Sequence, residues 1–428
     1  MNRTNLQQAA REIFNAALRA ADARRAVNSD VVLKDSLFII RETEIDVSGC
    51  SIYAVAIGKA AAAMAAGLSD VLGDKLRSGI ISGVPYPEFS ELGAHRWREF
   101  RSGHPLPTAE SLAAAQASLN LLKTVEPGAL VIFLISGGGS SMFELPVDDR
   151  ITIADLREAN RQLVSCGAAI AEVNAVRRTF SAVKGGKLSR SAPQTNQITL
   201  IVSDTNPGDE ASVASGPTLE PSENASEAQE VVERYDLSMS LPKSVLRAIN
   251  NREDPQPAET GRLRTHYVLL DNHTALHAAA KKAEQLGFAM EIATDINEEE
   301  IEVGCDLLLS RVRALWEKAG GKAKPVCLLS GGEFSCPVRG QGVGGRNAET
   351  VLRCAMKLNG VPTSDARWPS QWVVLSSGTD GLDGNSPAAG AIADEATIAR
   401  GESASLDAGA FLSAATHLAT SRASAQHS

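Results

Sequence analysis

A chain of 428 residues, 43% of them hydrophobic, is long enough for two domains, each with its own core. Its 42 basic and 51 acidic side chains give a net charge of −9 with no basic block, which argues against a nucleic-acid backbone as partner. The most hydrophobic unbroken run, Ala129–Ile135, is far short of the roughly 20 residues that cross a bilayer.

Residues 3–25 hold five arginines among alanines, but Glu12 and Asp22 interrupt any targeting pattern. Leu6, Ala10, Phe14, Ala17 and Ala21 recur at helical spacing, which predicts an opening amphipathic helix with one buried stripe. Ile52–Ile57, Gly79–Ile81, Ala129–Ile135 and Ile198–Val202 read as buried strands, and Ala60–Leu72 as an Ala-rich helix. This alternation is the pattern of a mostly parallel, Rossmann-like sheet. The Pro-, Ser- and Glu-rich stretch 219–226 and the polar stretch 250–259 place a boundary near 240, giving domains 1–240 and 241–428. Beyond it Thr265–Leu270, Ala275–Leu286 and Phe288–Thr294 read as a second βαβ start, followed by strands at Pro325–Leu329 and Trp372–Leu375. The expected fold is therefore two α/β domains with mostly parallel sheets and a cleft between them. From about 395 the chain turns Ala- and Ser-rich and offers no closing strand.

The six cysteines, Cys50, Cys166, Cys305, Cys327, Cys336 and Cys354, never approach CxxC spacing, so zinc and a disulfide framework are not indicated and a cytoplasmic, reducing setting is expected. Ser136-Gly137-Gly138-Gly139-Ser140-Ser141 follows a buried strand. Its glycines let backbone N–H groups approach a phosphate or carboxylate, and its hydroxyls add donors. No GxxxxGK[ST] occurs, and no GxGxxG follows an early strand, which counts against a Walker loop and a simple dinucleotide fold. Gly344, Gly345 and Arg346-Asn347 lead from a second glycine loop into a helix, so Arg346 is the preferred anion clamp, with Gly344, Gly345 and Asn347 beside it as substrate-binding candidates. Asp380 and Asp383, in Ser377-Gly-Thr-Asp-Gly-Leu-Asp-Gly384, are hard oxygen ligands of the kind Mg²⁺ takes. Asp204 and Asp209 form another acidic strand end, and Lys59 stands at the mouth of an Ala-rich helix, where a cation would neutralise a transferring phosphoryl group. Arg177, Arg178, Lys184 and Lys187 cluster in one segment; Lys184 is a nucleotide-binding candidate, with a solvated helix face as the alternative. His104, in Gly103-His-Pro, is assigned no proton-transfer role.

Taken together, Ala56-Ile-Gly-Lys59, Gly103-His-Pro105, Leu134–Ser141, Asn174-Ala-Val-Arg177 with Lys184-Gly-Gly186, Ser203-Asp204, Ala214-Ser-Gly-Pro-Thr218, Leu329-Ser-Gly-Gly-Glu333, Gly344-Gly-Arg-Asn347 and Ser377–Gly384 resemble the glycerate 2-kinases of the MOFRL type, often labelled hydroxypyruvate reductases. The resemblance implies ATP-dependent phosphorylation of D-glycerate to 2-phosphoglycerate. Lys59 and Arg346 match the family's active-site lysine and arginine. The loop 137–141 would cradle nucleotide phosphates, and Asp380 or Asp204 would hold Mg²⁺ or orient the attacking hydroxyl. The expected partners are D-glycerate and ATP, with no nucleic acid or membrane, and a homodimer stays open. The sequence departs from the family after Asp394, where the usual Asp-Ser-Tyr segment and Thr-Gly-Pro-Thr-Gly-Thr-Asn loop do not occur. It also departs at Thr205-Asn206-Pro207 and Leu219-Glu220-Pro221. The alternatives are an NAD(P)H-dependent hydroxypyruvate reductase and a catalytically weak binder of glycerate or nucleotide.

Overall fold

The computed structural model describes residues 3–86, 94–205, 208–220, 227–251, 262–296, 298–320, 324–336, 342–361 and 368–414. Residues 221–226 and 252–259 of the expected linkers, Asn206-Pro207 of the acidic loop and the last part of the Ala- and Ser-rich tail, 415–428, lie outside them. The chain forms two compact units, Asp22–Asp271 and a second built from Met1–Ala21 with Asn272–Ser428.

The first unit opens with the helix Ala23–Asp30 and a short antiparallel sheet, β1 (Val31–Lys34), β2 (Leu37–Ile40) and β3 (Thr43–Asp46). Its body is a six-stranded sheet of β4 (Ile52–Gly58), β5 (Leu76–Gly83), β6 (Trp97–Arg101), β7 (Leu130–Ser136), β8 (Asn196–Val202) and β9 (Arg264–Leu270), in the order β6-β5-β4-β7-β8-β9. All neighbours are parallel. Every residue of β4 and β7 is buried, which explains why these strands read as unbroken apolar runs. Their alternate residues still serve different cores. Ala54, Ala56, Ile132 and Leu134 face Met64, Ala65 and Leu68 of the helix Ala61–Leu72, whereas Val55, Ile57, Phe133 and Ile135 share a core with Ala114, Ala115 and Leu122 of the helix Ala109–Thr124. The Ala-rich helix stops at Gly73, φ 48°, a left-handed position that glycine takes without strain.

The unit boundary lies after Asp271 instead of near 240. Arg264–Leu270 does not start a second βαβ; it is the sixth strand of the first sheet, paired to β8 from Gln197↔Arg264 onward. The polar composition at 250–259 gave no sign of this, because the pairing of β8 with β9 is non-local in sequence.

In the second unit β10 (Ala289–Ala293) and β11 (Val326–Ser330) pair in parallel, while β12 (Val373–Ser377) and β13 (Gly390–Asp394) pair antiparallel. The expectation of mostly parallel pairing thus holds for the first sheet and for one of these two pairs. The opening helix, Arg3–Ala20, belongs here: Ala9 and Ile13, with Leu6 and Ala17, pack on Ala279, Ala283 and Phe288. Ala10 and Phe14, expected in the buried stripe, are only half-buried, because the apolar face centres on Ile13. Gln7 donates to buried Asp394 at 2.5 Å and so ties this helix to the end of β13.

Candidate active site

In the first unit the chain runs from β4 to β5 and β6 on one side, then returns to place β7, β8 and β9 on the other. The strand order therefore reverses between β4 and β7, and the crevice beyond the carboxyl ends of such a pair is where parallel sheets bind ligands. Lys59 follows β4 and the glycine turn follows β7. The two ends are laced together: Lys59 N donates to the Gly137 carbonyl at 2.9 Å, Ala60 N to Ser136 Oγ at 3.0 Å, and Ser136 Oγ to the Ile57 carbonyl at 3.2 Å. A methyl group on Gly58 would come within 2.4 Å of the Ser136 carbonyl, so the approach requires glycine.

The glycines also show which side chains crowd the turn. A Cβ on Gly137 would lie 2.0 Å from Asp204 Oδ2, and one on Gly138 3.0 Å from Lys59 Cγ and 3.1 Å from His104 Cδ2. Lys59, His104 and Asp204, from the ends of β4, β6 and β8, thus converge on one left-handed turn at Gly138, φ 79°. Asp204 and His104 are exposed and Lys59 is half-buried, an arrangement of a cation, an imidazole and a carboxylate open to solvent.

Beneath the turn lies a buried polar network. Ser140 Oγ contacts Ser215 Oγ at 2.8 Å, Ser215 Oγ donates to Asn174 Oδ1 at 2.8 Å, and Arg177 donates to Asn174 Oδ1 and Asn160 Oδ1 at 3.3 and 3.0 Å. Ala214 and Ser215 hold left-handed backbones, φ 53° and 62°, a strain of about 1–2 kcal/mol per residue that packing must offset. Lys184 is fully buried and ion-paired with Glu144, itself 1% exposed. Burial pulls the Lys184 ammonium below its usual range against the opposing pull of Glu144, and pushes the Arg177 guanidinium down to about 10.

In the second unit the helix Arg346–Asn359 starts at Gly345. Asp383, 2% exposed, accepts from Asn347 N and Ala348 N at 2.9 Å each and from Asn347 Nδ2 at 3.3 Å. A Cβ on Gly345 would lie 2.0 Å from Asp383 Oδ1. Gly344 N donates to Asn385 Oδ1 at 2.8 Å, and Ser376 Oγ to Asn347 Oδ1 at 2.7 Å. The Arg346 side chain is 44% exposed and ion-paired with Glu333 at 2.8 Å. Asp380 is exposed, with Oδ1 accepting from Leu382 N at 3.1 Å.

Residues 9–250 match a family profile described as a domain of unknown function, DUF4147, and residues 326–426 match the MOFRL family. Glycerate 2-kinase from Pyrococcus horikoshii is 32% identical over 386 residues, covering 89% of this chain and 84% of its own. D-glycerate 2-kinase from Thermotoga maritima is 33% identical over 361 residues, covering 84% and 82%. The chain belongs to the MOFRL glycerate 2-kinase family. The crystal structure of glycerate kinase from Thermotoga maritima shares the fold at a TM-score of 0.74 and 27% identity, over 97% of this chain and 93% of that one. Other relatives bear the name glycerate kinase or, provisionally, hydroxypyruvate reductase.

Within this member of the family, Lys59, Gly137, Gly138 and Asp204 come together, and Gly139 closes the turn against Ala214 and Ile57. Ser136 and Ser141 are buried, and their hydroxyls bond the Ile57 and Gly138 carbonyls, so they hold the loop's shape and do not face a ligand. Lys184 is neither a solvated helix residue nor accessible to a nucleotide, because its ammonium is enclosed with Glu144. Asp383 is likewise occupied: both oxygens satisfy the first turn of a helix, leaving it unsuited to the metal role. Asn347 spends its side chain on Asp383 and Ser376, and Gly344 and Gly345 pack on residues 383–385. Among the described residues no group of three or more His, Cys, Asp or Glu side chains is arranged for a metal ion. His104, given no proton-transfer role from the sequence, stands beside Gly138. The signal for that position was its place just after a strand end, between Gly103 and Pro105.

Proposed function

We propose that this chain transfers the γ-phosphoryl group of ATP to the 2-hydroxyl of D-glycerate, giving 2-phosphoglycerate and ADP. The observation that carries the reading is the convergence of Lys59 and Asp204 on the Gly137–Gly138 turn at the switch point of a parallel sheet, in a chain whose relatives are named glycerate 2-kinases. Phosphoryl transfer asks the protein mainly for positioning and charge stabilisation. Lys59 supplies the cation that neutralises the transferring group, and the glycine turn lets the nucleotide approach the backbone. Arg346, at a helix start in the second unit, is the second anion-binding cation of the proposal; its exposed pairing with Glu333 is one a carboxylate or phosphate displaces readily.

Mg²⁺ would neutralise charge on the nucleotide phosphates when bound. Asp204 fits it: an exposed carboxylate set against the turn, with no cluster of three or more metal-ligating side chains around it among the described residues. A hard cation in that setting takes its other oxygens from phosphate and water. The unpaired cysteines suit a cytoplasmic location.

The test is turnover of D-glycerate with MgATP in a coupled ADP assay, run beside NADPH oxidation with hydroxypyruvate. Turnover only in the second assay replaces the kinase with the reductase, and nucleotide binding without turnover in either replaces it with a binding protein. Lys59→Met and Arg346→Ala should each lower kinase kcat/KM by at least about a hundredfold, on the order of 3 kcal/mol of transition-state stabilisation, with unchanged melting.

A further inference from the structure

The network under the glycine turn has a direction. Arginine only donates hydrogen bonds, so the contact from Arg177 at 3.3 Å identifies the Asn174 atom it meets as the carbonyl oxygen. Asn174 Nδ2, on the other side, donates to the Ser212 carbonyl at 3.4 Å. The same Oδ1 receives the Ser215 hydroxyl at 2.8 Å, and that consumes the single proton of Ser215. Ser215 Oγ is also 2.8 Å from Ser140 Oγ; with its own proton spent, it can only accept there. The Ser140 proton therefore points inward, away from the turn. Asn174 and Ser215 are both fully buried, so water does not scramble this order, and a reversed Asn174 would set an N–H₂ group against a guanidinium.

The consequence is chemical. Ser140 is only part-buried, and the Oγ it offers has lone pairs but no proton. Toward a phosphate oxygen it is repulsive; toward a hard cation it is a ligand. We propose that Ser140 Oγ binds the divalent cation of the metal–nucleotide complex and does not donate to the nucleotide phosphates, the role the sequence suggested for it. The inference rests on the kinase reading above. Asp204 lies against Gly137, three residues earlier in the same turn, so the oxygen set is a hydroxyl and a carboxylate, completed by phosphate and water.

The test uses the full chain with Mn²⁺ and ADP as probes, reading Mn²⁺ by electron paramagnetic resonance and metal-free ADP by calorimetry. Ser140→Ala should weaken Mn²⁺ binding in the presence of ADP about tenfold, near 1.4 kcal/mol, and leave metal-free ADP binding within about twofold. Ser140→Thr, which keeps the hydroxyl, should restore the parent value. Ser215→Ala removes the acceptor and returns the proton to Ser140, so the preference for Mn²⁺–ADP over metal-free ADP should fall. Equal loss of both affinities in Ser140→Ala, or no loss of either, overturns the assignment. A parent chain that binds neither form of ADP defeats the kinase reading itself and this inference with it. Melting curves for each variant separate these outcomes from misfolding.

Discussion

Replacing Asp383 with alanine separates a helix cap from a metal ligand. Its two oxygens accept from Asn347 N and Ala348 N at 2.9 Å and it is 2% exposed, so the variant leaves two donors of the helix Arg346–Asn359 without acceptors in a closed setting. Loss of an N-cap costs about 0.5–2 kcal/mol, and loss of a negative charge at the positive end of a helix a further 0.3–1 or so, together about 2 kcal/mol. At roughly 2–4 °C per kcal/mol for a unit of this size, the transition of the second unit should fall by about 4–8 °C. Differential scanning calorimetry with and without Mg²⁺ measures it, with Asp383→Asn as the milder companion that retains one acceptor. Unchanged melting together with a weakened response to Mg²⁺ would refute the reasoning and return Asp383 to the metal.

Lys184→Met should strand the Glu144 carboxylate in a site that is 1% exposed, costing about 3–5 kcal/mol; denaturant unfolding checks it, and the double change to Lys184→Met with Glu144→Leu should recover much of the loss. A fully stable Lys184→Met with weakened ATP binding would show instead that the lysine serves the nucleotide. Glu172 is held below the usual carboxylate range by Tyr235, the Ala169 N–H and Arg234. A depressed carboxylate contributes stability above its unfolded value near 4.5, and that contribution is lost as pH falls through the lower folded value. Glu172→Gln should therefore lower melting at neutral pH and shrink the difference between parent and variant below about pH 4, as followed by melting across a pH series.

Much of the first unit was legible because its strands are buried on both faces. The runs at β4 and β7 carry no polar interruption, and a glycine follows each where the chain must turn beside its neighbour. Lys59 and Asp204 were legible for the same reason: each sits one or two residues past such a run. What escaped depends on partners distant in sequence. Lys184 meets Glu144 across 40 residues and Asn347 meets Asp383 across 36, and a charged or amide side chain looks equally available until its partner is placed. β9 was read as a strand, but its place in the first sheet escaped because its pairing with β8 spans a polar stretch that reads as a linker. His104 follows the edge strand β6, and only the fold carries it past β5 to Gly138.

The opening helix has a consequence for how the protein is made. It is synthesised early, yet its apolar partners Ala279, Ala283 and Phe288 follow only after the whole of Asp22–Asp271. At about 5–20 residues per second, roughly 250 intervening residues take on the order of 12–50 s. For that interval Ala9 and Ile13 wait unsheltered while the first unit is synthesised and folds between them and their destination. Until then the segment is a tethered amphipathic helix, and the second unit closes only after the first has been made.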